Sequence, residues 1–129
     1  MALSKTPMGQ VRGHGSALAG TQAFWRQRLT AVALIPLSIL FVAFMLALTG
    51  AEHMVASVLI GEPLVAIIML MFVLTGFYHL QLGMTHIVED YIHWKWGKFA
   101  LIVAVNLGCL ALAISCVLSI LKLSLGSAM

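Results

Sequence analysis

Residues 64–91 read LVAIIMLMFVLTGFYHLQLGMTHIVEDY, and the stretch from Leu64 to Thr85 contains no Asp, Glu, Lys or Arg. About 20 helical residues cross the ~30 Å hydrocarbon layer of a bilayer, so this run is long enough to span one. Two further runs, Leu29–Thr49 and Phe99–Leu121, are equally long and apolar. The composition agrees, with 129 residues of which 62% are hydrophobic and 9% charged. A water-soluble domain of this size needs more polar surface to cover its core. The chain therefore reads as an all-α membrane protein of three transmembrane helices, spanning about 29–49, 64–85 and 99–121. An N-terminal segment, 1–28, precedes them and a tail, 122–129, follows. Pro36 falls inside the first span, where neighbouring helices and Ser38 can satisfy the freed carbonyl. A modest kink is expected there.

The charges report topology. Lys5, Arg12, Arg26 and Arg28 precede the first span, the 50–63 loop has no Lys or Arg, Lys95 and Lys98 lie in the 86–98 loop, and Lys122 is alone in the tail. Three spans put the N-terminus and the second loop on the same side, which then holds six of the seven basic residues. By the positive-inside rule that side is the cytoplasm. Trp25, Trp94 and Trp96 fall at the same face, as interfacial anchors do. Basic residues this few and scattered form no phosphate-binding stripe, which disfavours a nucleic-acid partner. The first 28 residues lack the apolar core of a secretory signal and are Arg-poor for a transit peptide. A bacterial inner-membrane protein with a cytoplasmic N-terminus is the expected setting. Cys109 and Cys116 are two helical turns apart, about 10 Å, too far for a disulfide.

An ionisable side chain within a span is rare and faces a partner or a site, so His79 needs an explanation. One reading is a neutral histidine that hydrogen-bonds a neighbouring helix. The other is an axial ligand to heme iron, a normal role for a neutral imidazole. At 100° per residue, Gly76 and Gly83 lie within about 60° of His79, one turn to either side. Small residues there let two helices pack closely, and they equally let a flat macrocycle approach the backbone. If the helix continues past the hydrocarbon, His86, Asp90 and His93 extend the same stripe. It is either a solvated helix flank or part of a site. Asp90 and Tyr91 emerge about 17 Å beyond His79 along the helix, where a phenol and a carboxylate can meet the polar head of a lipophilic substrate. His86, His93, Glu89 and Asp90 have helical spacing suited to a divalent metal, a reading that nothing else in the sequence favours. There is no GxSxG, HExxH, CxxC or phosphate-cradling glycine loop.

The spacing of His79, Gly83 and the pair Asp90-Tyr91 resembles the second-helix motif of the hydrophobic membrane anchor of bacterial succinate dehydrogenase. The segment FWRQRLTAVAL resembles the same family's entry to its first helix, especially in α-proteobacterial members. The likeness covers nearly the whole chain. It implies a place in a heme-binding anchor helix bundle, with His79 giving one axial ligand to the iron of a b-type heme and Arg28 near the propionates. Tyr91 would donate a hydrogen bond to the quinone substrate, ubiquinone, with Asp90 organising that site. Some relatives carry a histidine six residues before the arginine, where this chain has Gln22, so the propionate contacts are expected to differ. The implied partners are a flavoprotein subunit, an iron–sulfur subunit, and a second anchor subunit bearing the other axial ligand. By itself the chain would catalyse nothing. The alternatives are a fumarate reductase anchor running the opposite direction, or a structural membrane protein whose His79 only joins helices.

Overall fold

The protein, in a computed structural model, is described over residues 18–126. Lys5, Arg12, most of the N-terminal segment and residues 127–129 of the tail lie outside the described residues. Four helices follow in order: α1 (Leu18–Leu48), α2 (His53–Gly61), α3 (Pro63–Tyr91) and α4 (Lys95–Gly126). Helices α1, α3 and α4 are long and apolar enough to cross a membrane. Each contains or nearly contains one of the expected apolar spans, and α1 and α3 continue beyond them at the end that carries Trp25 and Trp94. The first helix runs on through Pro36.

The breaks between helices have local causes. Gly50 has φ +81°, a left-handed conformation that suits a residue without Cβ, and it ends α1 while Ala51 N–H donates to the Leu48 carbonyl at 3.1 Å. Pro63 disfavours helical geometry at the residue before it, and Glu62 accordingly has ψ 122°. The same proline opens α3 at a position where its missing N–H is no loss. The helix α2 between these two breaks was not foreseen. Its residues HMVASVLIG occupy what the apolar runs leave as a loop, and they pack against α3 and α4.

Beyond Tyr91 the chain turns within three residues. Lys98 Nζ donates to the Glu89 carbonyl at 2.8 Å, placing a cation on the negative end of α3. The Trp94 ring lies over Gly97, where an added Cβ would come within 2.6 Å of Trp94 Cε3. That contact leaves no room for a side chain at 97.

The third helix lies between α1 and α4 and makes the main packing seams with both. Only Leu37, Ala66, Val88 and Cys109 are buried among the described residues. Leu29, Val32, Ile35 and Ile39 of α1 point outward. In water this would expose too much apolar surface; in lipid it is neutral, because the tails are as apolar as leucine. Two contacts mark the seams. Phe41 of α1 and Phe72 of α3 stack with centroids 4.4 Å apart and an interplanar angle of 13°. Gln81 Nε2 of α3 donates to Asn106 Oδ1 of α4 at 3.1 Å, pairing two amides that lipid would leave unsatisfied. Both cysteines are free thiols.

Candidate functional site

Helices α1 and α3 run antiparallel, and three pairs of residues set their register. Leu34 of α1 meets Gly76 of α3, Thr30 meets His79, and Gln27 meets Gly83. The spacings follow the three- and four-residue repeat that lines up one face of a helix. An ideal Cβ on Gly76 would sit 3.9 Å from Leu34 Cδ2, and one on Gly83 would sit 3.4 Å from Gln27 Nε2. Both glycines face α1 beside the imidazole, at distances where an added Cβ would make ordinary van der Waals contact.

Both ring nitrogens of His79 have a neighbour from α1. Thr30 Oγ1 lies 2.9 Å from Nδ1, and Gln27 Nε2 lies 3.4 Å from Nε2. The same threonine hydroxyl is within 2.9 Å of the Arg26 carbonyl and 3.0 Å of the Gln27 carbonyl. Gln27 Oε1 is buried and has no hydrogen-bond partner among the described residues. Its amide is therefore satisfied on one side only.

Next to this cluster, toward the end of the seam that carries the tryptophans, is a cavity of about 730 Å³. Gly20, Ala23, Phe24 and Gln27 line it from α1, and Gly83, His86 and Glu89 line it from α3. Its size is within the range of about 300–1,000 Å³ found for small-molecule and cofactor sites. His86 Nδ1 is 2.6 Å from the Leu82 carbonyl, so this nitrogen carries the proton and donates it within its own helix. Arg28 is exposed, with its guanidinium carbon 5.0 Å from the centroid of the Phe24 ring. A cation over a ring that lines the cavity stays close to its rim.

Asp90 and Tyr91 stand apart from this cavity. Both are exposed at the last turn of α3, Tyr91 to 77%, and neither has a polar partner among the described residues. The helix stops at Tyr91, so His93 lies in the turn and does not extend the stripe through His79, His86 and Asp90. The structure therefore separates the sequence candidates into two places. His79 is at the α1–α3 seam with Arg28 near its outer end, whereas Asp90 and Tyr91 form a free polar edge. Thr30 and Gln27 were missed. Their sequence signal was faint: polar residues at the mouth of an apolar span, three apart on one helix face.

The fold and this seam define a class: a multi-pass helical membrane protein with a histidine held by polar side chains between two spans. Residues 2–121 match the family described as the succinate dehydrogenase/fumarate reductase transmembrane subunit, and the chain belongs to that family. It is similar to the succinate dehydrogenase hydrophobic membrane anchor subunit of Paracoccus denitrificans, with 31% identity over 122 residues covering 95% of this chain and 94% of the relative. The protein of the same description from Rickettsia bellii is 33% identical over 98 residues, 76% of this chain and 78% of the relative. That from Rickettsia conorii is 27% identical over 119 residues, 90% and 93% of the two chains. No solved structure matches. The resemblance read from the first- and second-helix segments is thereby borne out, and a subunit of this family works in association with the other subunits of its enzyme.

Proposed function

We propose that this chain anchors a succinate:quinone oxidoreductase to the bacterial inner membrane, shares a b-type heme with a second anchor subunit, and forms part of the quinone-reduction site. The flavoprotein and iron–sulfur subunits dock on its cytoplasmic face, the face of Arg26, Arg28, Lys95 and Lys98. The family description also names fumarate reductase, which runs the same architecture in the opposite direction.

The observation that supports the heme reading most is the environment of His79. One ring nitrogen is tied to Thr30 while the other meets only the movable amide of Gln27, whose oxygen has no partner. Gly83 leaves space beside it, and the adjoining cavity can take the Gln27 side chain when it leaves Nε2. The residues present therefore fit an axial ligand. A bound heme supplies one-electron storage between the iron–sulfur clusters and quinone. For this chain, His79 offers the Nε2 lone pair and Arg28 places a cation near the propionates. At the cytoplasmic edge, Tyr91 donates a hydrogen bond to a quinone carbonyl oxygen. Asp90, next to it in sequence, helps organise that site and passes protons inward from water. A second anchor subunit would supply the iron's other protein ligand, since His79 is the one ligand this chain offers.

The rival reading is favoured by the same contact: His79 hydrogen-bonded to α1 joins two helices whether or not heme is present. Difference spectra of the co-expressed complex decide between them. His79→Ala is expected to abolish the low-spin b-type spectrum while the subunits still co-purify. An unchanged spectrum in that variant refutes His79 as ligand.

A further inference from the structure

We propose that Thr30 is a positioning residue for His79: its hydroxyl accepts the imidazole Nδ1–H, fixes the tautomer that leaves Nε2 bare, and sets the donor strength of that nitrogen. The proposal rests on the reading of His79 as an axial ligand.

The tautomer follows from counting protons. A threonine hydroxyl has one proton and two lone pairs, and a carbonyl oxygen only accepts. Thr30 Oγ1 is 2.9 Å from the Arg26 carbonyl and 3.0 Å from the Gln27 carbonyl, so its proton is shared between these two. With the proton held there, a lone pair is left toward His79 Nδ1 at 2.9 Å, and the ring is the donor in that contact. With the Gln27 amide placed as it is, the second nitrogen agrees. An amide nitrogen only donates, so His79 Nε2 accepts from Gln27 Nε2 at 3.4 Å. The opposite tautomer would pull the threonine proton off both carbonyls and set a ring N–H against the amide N–H groups. Turning the Gln27 amide over would relieve the second conflict and leave the first.

The two contacts differ in permanence. Thr30 is β-branched and its hydroxyl is anchored to its own helix one turn back, which fixes the direction of its lone pair. Gln27 reaches His79 through a flexible side chain and by a longer contact, and its Oε1 is unsatisfied where it lies. Gln27 therefore occupies the ligating nitrogen until a metal takes its place, and Thr30 stays. A hydrogen bond that accepts the distal N–H of a metal-bound histidine holds the ring plane and raises its basicity. A more basic ligand favours ferric over ferrous iron. No sequence motif marks Thr30, because its role depends on the register of α1 against α3.

The test uses the full complex with Thr30→Val and Thr30→Ser, read by heme titration, low-spin spectrum and redox potentiometry. Valine keeps the shape and removes the acceptor. Heme affinity is expected to fall about 10–100-fold, and the ferric–ferrous equilibrium to move about threefold toward ferrous, ~28 mV for one electron. Serine keeps the hydroxyl and restores both. A packing role alone predicts the reverse order, since valine keeps the threonine methyl group and serine loses it. Wild-type affinity and potential in Thr30→Val, with the spectrum lost in His79→Ala, overturn the role of Thr30 while leaving His79 as ligand. A low-spin spectrum that survives His79→Ala overturns both. If the valine complex does not assemble, nitrogen-15 spectra of the heme-free full-length wild-type chain decide: a proton on Nδ1 supports the proposal, and a proton on Nε2 refutes it.

Discussion

Tyr91→Phe is the substitution that most cleanly tests the quinone reading. Tyr91 is 77% exposed and has no polar partner among the described residues, so removing its hydroxyl breaks no hydrogen bond among them. A surface change of that kind alters stability by no more than about 0.5 kcal/mol. Any larger effect must arise where the phenol meets something beyond the described residues. One hydrogen bond to a neutral carbonyl is worth ~0.5–1.5 kcal/mol, rising to ~1.5–3 kcal/mol when the acceptor is charged. Reduction builds negative charge on the quinone oxygen, so the larger range applies in the transition state. At about 1.4 kcal/mol per factor of ten, the quinone reductase rate should fall about 10- to 100-fold. The assay compares succinate-to-quinone turnover in membranes with electron delivery from succinate to a soluble acceptor taken directly from the flavin. The first should fall and the second stay normal. Wild-type quinone turnover in the variant refutes the reasoning; a parallel loss of both activities would show lost assembly and refute it equally.

Three further outcomes follow from the same structure. Reporter fusions at Ala51 and Trp96 should give opposite topology signals, because these sites are at opposite ends of α3 and, of the described basic residues, Arg26, Arg28, Lys95 and Lys98 are at the Trp96 end; matching signals would exclude the three-span arrangement. Gln81→Leu should destabilise the α3–α4 seam by ~0.6 kcal/mol and at most ~1.7 kcal/mol, the range for interhelical polar pairs in membranes. Thermal unfolding of the detergent-solubilised complex measures it, and a double change with Asn106→Leu that costs as much as the two singles summed would show that the pair is not coupled. Asp90→Asn should lower quinone turnover while sparing the soluble-acceptor rate, the same split as Tyr91→Phe, and equal losses in both assays would remove Asp90 from the site.

The three spans, the all-α class and the family were legible in the sequence because lipid imposes a one-dimensional rule. Backbone groups in hydrocarbon must be satisfied within the segment, so a charge-free run from Leu64 to Thr85 has to be a helix whatever its neighbours are. His79 stood out for the same reason, as a polar group in a medium that does not solvate it. The short helix α2 was not legible. Its nine residues are too few to span and too apolar to read as a turn, and their packing on α3 and α4 is what places them. Nor was the division of the candidate residues. Helical periodicity put Asp90 and His93 on one stripe with His79, but α3 ends at Tyr91 and the turn held by Lys98 and Trp94 carries His93 away. The partners of His79 were beyond reach for a more general reason. Thr30 and Gln27 are 49 and 52 residues away along the chain, and they meet the imidazole only because α1 packs against α3 in one antiparallel register. That register is set by the fit of two helix surfaces, which no periodicity within either helix encodes.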